Sequence, residues 1–515
     1  MKVQAVACGA VLVAISQTPA FGAGRSCEQL ASLALPQTTI STAQPVAAGQ
    51  FVPPGAGTRG GGAQNNPFMK LPAFCRVAAT LAPSSDSDIK VEVWLPVSGW
   101  NGKFLAVGNG GFSGSISYPA MAEALGRGYA TASTDTGHTG NSASFALNPE
   151  KLIDFAWRSE HEMTVKAKTI VAAFYGDAPK FSYWNGCSAG GRQALKEAQR
   201  FPEDFNGIIA GAPGADWTGR AAAALRVAQA MHKDDASNIA AAKYPAIHAA
   251  ALEACDALDG VKDGVIENPR SCRFDPQVLE CKGAETSSCL TKPQVEMART
   301  IYASGKSGRE ISSLEPGSEL GWATWGGAQP LSQSTEHFKY IVFKDPDWDF
   351  KTFNFERDAA RADQIDNNTV NALDPNLKPF FDRGGKLLQY HGWSDPQISP
   401  GNSVQYYSSV VKKLGGREAI HASYRMFMVP GMAHCGGGDG PNRFDMISAL
   451  EQWVEKGHAP DRIEATRQRD GRVDRTRPLC PYPEVAAYRG TGSTDEAASF
   501  VCKASTAAQP SAQRR

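Results

Sequence analysis

Three residues in this chain have the types and settings needed for acyl transfer. Ser188 lies in Gly186-Cys-Ser-Ala-Gly190, Asp395 closes His391-Gly-Trp-Ser-Asp395, and His434 lies in Gly431-Met-Ala-His-Cys435. A serine hydroxyl is too weakly acidic to attack a carbonyl unaided. A histidine must take its proton while a carboxylate fixes the imidazole tautomer and stabilises its positive charge. Ser188 is thus the candidate nucleophile, His434 the base and Asp395 the acid. The tetrahedral oxyanion needs preorganised donors. The backbone N–H of Ala189 follows from the geometry of a nucleophile elbow. The glycine-rich loop Asn109-Gly-Gly-Phe-Ser-Gly114 should supply the second donor, with Gly111 favoured. His138 and His391 are alternative bases, but neither follows a late strand after the acid. Asp382 and Asp445 suit the acid role less well, one standing before a strand and the other on a helix.

The elements that must present these residues follow from the pattern. Ile89 to Leu95 alternates as a strand, and Lys103 to Val107 is a short apolar strand entering the glycine-rich loop. Ala120 to Gly126 reads as helix and Tyr129 to Ser133 as strand. Helical spacing from Glu160 to Tyr175 precedes a strand from Phe181 up to the serine; a helix from Arg192 to Arg200 and the strand Gly207-Ile-Ile-Ala-Gly211 follow. A strand, a glycine-flanked serine and a helix are what an elbow requires, because the serine takes a strained turn with little room around it. The alternation resumes in Gly385-Lys-Leu-Leu-Gln-Tyr390 before Asp395, and in Tyr424-Arg-Met-Phe-Met-Val429 before His434. Strands alternating with helices predict a parallel sheet. Ser, then Asp, then His, each just past a strand's carboxyl end, is the chain order of α/β-hydrolases.

Residues 217–375 change character, with alanine-rich helix, cysteine-bounded loops, and then ten Phe, Trp or Tyr between 301 and 360 against 9% aromatic residues overall. This segment is expected to be an inserted lid domain, dividing the core into a first part, 23–216, and a second, 376–515. Trp322, Trp325, Phe338, Tyr340, Phe343 and Trp348 are expected mostly to pack the insertion, with one or two facing the substrate. Trp322 and Trp325, together with Ile398, are the expected substrate contacts.

Residues 1–22 read as a signal peptide, with Lys2, an apolar stretch to Ile15 and small residues around Ala20-Phe-Gly-Ala23. The chain is therefore expected to be secreted or periplasmic. A lipid anchor at Cys8 is disfavoured because almost no apolar run precedes it. No later segment approaches the roughly 18 apolar residues of a membrane span. Lys plus Arg and Asp plus Glu are both 52, so the charge favours neither nucleic acid nor an anionic membrane as partner. A small neutral substrate fits better, and the sequence leaves the oligomeric state open. Removal of Cys8 leaves ten of the 11 cysteines, an even number that implies disulfides in an exported chain. Short spacings favour Cys255 with Cys272, Cys281 with Cys289, and Cys480 with Cys502. That leaves Cys27 with Cys75 and Cys187 with Cys435, although sequence alone does not fix connectivity.

Within the insertion, Cys255-Asp-Ala-Leu-Asp-Gly-Val-Lys-Asp-Gly-Val-Ile-Glu267 offers Asp256, Asp259 and Asp263 as short carboxylates, with Gly260 and Gly264 permitting tight turns. Several oxygens could then converge on a hard cation, for which calcium is the natural choice. The spacing departs from an EF-hand, whose closing Glu is expected to be lacking. A solvated acidic turn is the competing reading, weakened by the enclosing cysteines 255 and 272.

Gly-Cys-Ser-x-Gly, the late Asp, Gly-Met-Ala-His-Cys, the insertion and the Asp-Gly loop together resemble the tannase and feruloyl esterase family, whose members include terephthalate monoester hydrolases. The likeness covers nearly the whole mature chain. It implies an α/β-hydrolase fold with a large inserted lid domain, and a serine esterase for aromatic acid esters of the feruloyl, galloyl or terephthaloyl monoester type. It implies Ser188, Asp395 and His434 as the triad, with a disulfide Cys187–Cys435 linking nucleophile and base. It also implies a structural calcium in the lid, away from the triad, held by the side chains of Asp256, Asp259 and Asp263 and the carbonyls of Val261 and Val265. Members acting on terephthalate monoesters use a lid arginine for the free carboxylate, whereas Ser332-Gln-Ser-Thr-Glu-His-Phe-Lys-Tyr340 offers Lys339 and His337 but no arginine. The alternatives are a general carboxylesterase or peptidase on the same scaffold and, in a different class, a catalytically idle, calcium-stabilised binding protein.

Overall fold

The computed structural model describes residues 24–54 and 66–504; the expected signal peptide and Cys8 lie outside them. The first half of the chain contributes β1 (Thr38–Val46), β2 (Phe74–Leu81), β3 (Ile89–Pro96), β4 (Lys103–Val107), β5 (Ala130–Thr134), β6 (Phe181–Cys187) and β7 (Gly207–Gly211) to one sheet. The chain then leaves the sheet, forms the short hairpin of β8 (Gly305–Ser307) and β9 (Arg309–Ile311), and returns as β10 (Lys386–Gly392) and β11 (Tyr424–Val429). The nine sheet strands run in the order β1-β2-β3-β5-β4-β6-β7-β10-β11.

The sheet is mixed rather than wholly parallel. β1 with β2, β2 with β3, and β3 with β5 pair antiparallel, and the remaining pairs are parallel. Antiparallel neighbours need no crossover helix, so this edge lacks the strand–helix alternation on which the all-parallel expectation rests. β1 also reads weakly as a strand because its Thr-rich segment is only partly buried.

The central strands are apolar on both faces because helices cover both. Along β4, Phe104 and Ala106 face one layer while Leu105 and Val107 face the other. The first layer is built from the helices Ser159–Tyr175, Ala189–Arg200 and Pro400–Lys413. The second is built from Tyr118–Gly126 and Met446–Lys456. In the parallel part, Cys187 stands beside Gly211, Gly211 beside Tyr390, and Gly392 beside Val429. Their carboxyl ends are thus level, and the loops carrying Ser188, Asp395 and His434 leave the sheet at one edge, where open α/β sheets bind ligands. This is the expected α/β-hydrolase architecture.

Between β7 and β10, residues 221–362 pack a core of their own that includes Leu225, Met231, Ile247, Trp322, Trp325 and Phe338. The helix Trp217–Met231 leads into it, with the Asp216 carboxylate accepting from the Gly219 amide at its first turn. Arg309 on β9 pairs with both Asp216 and Asp363. After β11, two further hairpins close the chain: β12 (Ile463–Arg469) with β13 (Arg472–Leu479), and β14 (Glu484–Tyr488) with β15 (Phe500–Ala504). Five disulfides join Cys27–Cys75, Cys187–Cys435, Cys255–Cys272, Cys281–Cys289 and Cys480–Cys502; the last three are the pairs that short spacing favours, and the first two are the pairs expected from the remaining cysteines. Among the described residues no helix is long and apolar enough to cross a membrane.

Candidate active site

β6 ends at Cys187 and the helix begins at Ala189, which leaves Ser188 in the turn at φ 66° and ψ −121°. A non-glycine residue in such a region is strained by about 1–3 kcal/mol. A Cβ on Gly186 would lie 2.4 Å from the Gly190 carbonyl oxygen, and one on Gly191 would lie 2.2 Å from that of Gly211. Strand and helix therefore meet backbone to backbone, which only glycine allows. The Ser188 amide donates to the Gly211 carbonyl, and its own carbonyl accepts from the amides of Arg192 and Gly214. The backbone is committed while the half-buried side chain stands at the sheet edge.

Asp395 is fully buried in the loop after β10. His434 Nδ1 donates to its Oδ2 at 2.7 Å and His391 Nε2 to the same oxygen at 3.1 Å, while the amides of Gln397 and Ile398 donate to Oδ1 at 2.8 and 3.0 Å. Burial pushes this carboxyl up, but the charges and hydrogen bonds of His434 and His391 outweigh it and hold the group well below the ordinary carboxylate range. An ionised Asp395 keeps the proton of His434 on Nδ1, and its Nε2 is left to accept one. The Cys187–Cys435 disulfide adjoins both Ser188 and His434 and holds their Cα neighbours 6.0 Å apart across a separation of 248 residues.

Neither alternative base is placed for that role. His391 is buried with Nε2 facing two acceptors, the Asp395 carboxylate and the Ile398 carbonyl, so Nε2 carries the hydrogen and Nδ1 accepts from the Ser403 hydroxyl at 2.7 Å. His391 braces the acid. His138 Nε2 lies 2.8 Å from the Phe112 carbonyl and the ring stacks on Phe145, which makes it an anchor of the glycine-rich loop. Asp382 ends a short helix in a pair with Lys378, and Asp445 caps the helix Met446–Lys456.

In that loop Gly111 adopts φ 54°. The loop is held by Asn109, whose Nδ2 donates to the carbonyls of Ser115 and Thr134 at 2.9 and 2.8 Å. The Asn109 carbonyl accepts from the Gly190 amide at 2.8 Å, joining the loop to the helix turn that Ala189 opens. Gln193 clasps Asn109 twice, through the Asn109 amide and its Oδ1. His138 and His391, alternative bases by sequence, are placed instead as braces of the glycine loop and the acid, while Asn109 and Gln193 escape sequence reasoning; only the place of Asn109 before two glycines offers a signal.

The lid residues differ from expectation. Trp322 is enclosed by Tyr244 and Tyr302, with Nε1 donating to Ser318 Oγ at 3.2 Å, so it packs the lid interior and offers no surface to a substrate. Trp325 is equally buried and donates to the Gln397 carbonyl at 3.3 Å, bracing the loop of the acid. Ile398 is buried beside Gly214, whose amide bonds the Ser188 carbonyl. In the stretch 332–340, His337 is fully buried, and burial, reinforced by Arg220, pulls its imidazole down to about 3. An arginine does reach this stretch from another element: Arg220, on the helix Trp217–Met231, donates from Nη2 to Gln333 Oε1 at 2.9 Å.

In the Asp-Gly loop, Asp256 accepts from the amides of Asp263 and Gly264 at 3.1 and 2.8 Å, while Gly260 and Gly264 adopt φ 89° and 80°. Asp259, Asp263 and Glu267 line one small cavity with Val265, Pro430 and Arg477. Burial, with neighbouring carboxylates adding to it, pushes Asp259 up to about 6 and Glu267 up to about 7. Arg477 and Arg475 pair with Asp263. Three gathered carboxylates suit a hard divalent cation, but Arg477 and Arg475 already offset the charge of Asp263. Glu267 adds a third carboxylate to this cavity, and its Oε1 accepts from the Ala486 amide at 2.8 Å. One end of the loop packs against the segment that leads to His434. Val261 packs with Cys480, Ala486 and Phe500, and a Cβ on Gly431 would lie 3.1 Å from Val265 Cγ1, so the loop supports the root of the segment that carries His434. Elsewhere His161, Glu197 and Asp204 gather within 4.8 Å, but Lys168 reaches the Asp204 carbonyl there and supplies positive charge.

The description of the tannase and feruloyl esterase family matches residues 75–503. The chain is 39% identical to an uncharacterised esterase of Xanthomonas campestris over 93% of its own length and 91% of that protein. It is 35% identical to a probable feruloyl esterase B-1 of Aspergillus oryzae, over 84% of this chain and 85% of the relative. The crystal structure of feruloyl esterase B from Aspergillus oryzae superposes with a TM-score of 0.87 at 32% identity, covering 93% of this chain and 99% of that one. The chain belongs to the tannase and feruloyl esterase family and is a carboxylic ester hydrolase.

Proposed function

We propose that this protein is an exported serine esterase that hydrolyses esters of aromatic carboxylic acids through an acyl-serine intermediate. The observation that carries the reading is the buried Asp395 carboxylate accepting from His434 Nδ1 at 2.7 Å, with His434 and Ser188 each adjoining one end of the Cys187–Cys435 bridge. In this mechanism His434 Nε2 takes the Ser188 proton as Oγ attacks the ester carbonyl. The oxyanion is met by the amides of Ala189 and Gly111. Return of the proton from His434 releases the alcohol; water, activated by the same imidazole, then frees the acid. The aromatic acyl group is proposed from the feruloyl esterases among the relatives. Export is supported by the five disulfides.

The same reading includes a structural calcium held by the carboxylates of Asp256, Asp259 and Asp263 and the carbonyls of Val261 and Val265, with Glu267 alongside. The ion neutralises the gathered carboxylates and cross-links the loop, and no catalytic step passes through it. The test is a comparison of methyl ferulate, methyl gallate, a terephthalate monoester and a short aliphatic ester, each with wild type and Ser188→Ala. We expect the aryl esters to be preferred and kcat to fall on the order of 10⁶-fold in the variant. Preference for the aliphatic ester would instead establish a general carboxylesterase, and equal rates for the two proteins would end the serine mechanism.

A further inference from the structure

We propose that Gln333, carried by the lid, donates a third hydrogen bond to the reacting carbonyl group, and that the buried Arg220 is the positioning residue that aims it. The inference rests on the serine-esterase reading and extends its oxyanion site across the boundary between core and insertion.

The orientation of the carboxamide follows from donor chemistry. Arg220 Nη2 lies 2.9 Å from Gln333 Oε1, and a guanidinium can only donate, so the oxygen end of the amide must be the one that faces Arg220. The Nε2 end is thereby fixed on the opposite side. A Cβ built on Gly111 would lie 2.5 Å from Gln333 Nε2, so the amide NH₂ sits directly over the glycine expected to bind the oxyanion. Glycine at 111, with φ 54°, is what lets the lid amide come so close. Among the described residues, no protein acceptor takes the Nε2 hydrogens, and Gln333 is half-buried. A directed donor therefore faces the glycine assigned to the oxyanion, and a donor so placed would stabilise a tetrahedral intermediate.

Arg220 is built to hold that orientation rather than to meet a substrate. It is 3% exposed, and its guanidinium lies 5.1 Å from the centre of the Trp217 ring. Trp217 in turn packs edge-on to Phe112, the residue after Gly111, with ring centres 5.2 Å apart. Glycine loop, Trp217, Arg220 and Gln333 thus form one continuous packed path. The short lid helix Ser332–Glu336 is pinned to the core at its other end, where the Glu336 carboxylate accepts from the Ala143 amide at 2.6 Å. Small displacements of the insertion would carry the third donor toward or away from the substrate.

The decisive variant is Gln333→Glu, which keeps the shape and an oxygen toward Arg220 but replaces the donor over Gly111 with an acceptor. On a methyl aryl ester we expect kcat to fall about 10²-fold or more, with KM and melting temperature close to wild type. Gln333→Met, which has no polar atom at either end, should lose a similar factor and covers the case in which the glutamate variant does not fold. Arg220→Met should give a smaller loss, again in kcat rather than KM. Inhibition by phenylboronic acid, which forms a tetrahedral adduct with an active serine, should weaken in step with kcat/KM across the series. Wild-type kcat in both Gln333 variants, or a rise in KM alone, would overturn the proposal. Ser188→Ala is the control: if hydrolysis survives in it, the serine reading itself has failed, whereas Ser188-dependent hydrolysis indifferent to residue 333 refutes only this inference.

Discussion

On the core side of the site, Asp395, His391, Asn109 and Gln193 have partners for the groups that matter: Asp395 receives two imidazoles and two amides, and Asn109 is clasped by Gln193 and tied to the nucleophile helix. On the lid side, Trp217 Nε1, Arg220 Nε, Ser334 Oγ and both ring nitrogens of His337 are buried without a partner among the described residues. Folded proteins seldom leave buried polar groups unpaired, so these lid-side groups stand out beside the fully partnered acid and glycine loop, although core groups such as Arg192 Nε and the Asn402 carboxamide are also unpaired among the described residues. Around Asp395 and Asn109 the core side is preorganised for one reaction. On the proposed serine-esterase reading, these unpaired lid-side groups are where the polar groups of an ester would be recognised.

The sharpest way to break this comparison is Asp395→Asn. The amide keeps the shape but stabilises the wrong His434 tautomer, and kcat should fall about 10⁴-fold while the protein remains folded. A loss of only a few-fold, measured by steady-state kinetics, would mean that the core side does not control the chemistry. Next in size is replacement of both Cys187 and Cys435 by alanine. Freeing a closure of 248 residues is expected to remove up to about 5 kcal/mol of stability in denaturant unfolding. Turnover should drop under conditions where the variant is still fully folded; unchanged turnover would make the bridge structural only.

His337→Phe tests the lid side. The folded imidazole titrates at about 3 and an unfolded one near 6.5, so between these values the unfolded chain binds the extra proton and stability falls as pH drops. The phenyl variant lacks this group, and its loss of stability from pH 6.5 toward 4 should be shallower by up to about 1.4 kcal/mol per pH unit. Parallel pH profiles for the two proteins would show that this nitrogen pair is not desolvated as described. The smallest effect is expected from the Asp-Gly loop. Calcium at about 100 times its dissociation constant should add roughly 2.7 kcal/mol, lost on chelation as a lower melting temperature. No shift after confirmed metal removal would strike the ion from the account.

The elements of the site were legible in sequence where a short apolar strand meets a glycine turn. β4 and β7 have the bounds expected, because strands covered on both faces read as unbroken apolar runs. The elbow helix begins at Ala189, three residues before its expected start, because Gly190 and Gly191 hide a first turn that close packing makes favourable. The antiparallel edge was not legible: β1 is half-exposed and β2 pairs with segments that follow no crossover pattern. The expected substrate role of Trp322 failed because aromatic density in a sequence does not distinguish a lid interior from a lid surface. Arg220 was passed over because it is remote in sequence from the stretch 332–340 in which an arginine was sought.

The sequence by itself determined the nucleophile's strained turn, the order of serine, acid and base, the short-range cysteine pairs and the acidic loop. Each of these is a local pattern or a spacing, and local sterics or chain closure impose it wherever the rest of the chain goes. The tertiary structure decided which groups press on those residues: His391 on the acid, Asn109 and Gln193 on the glycine loop, Glu267 and Val265 beneath the root of the base, Arg220 and Gln333 over Gly111. Such contacts join elements far apart in the chain. They arise only when packing has excluded water and left each buried donor and acceptor to find whichever partner the fold brings near.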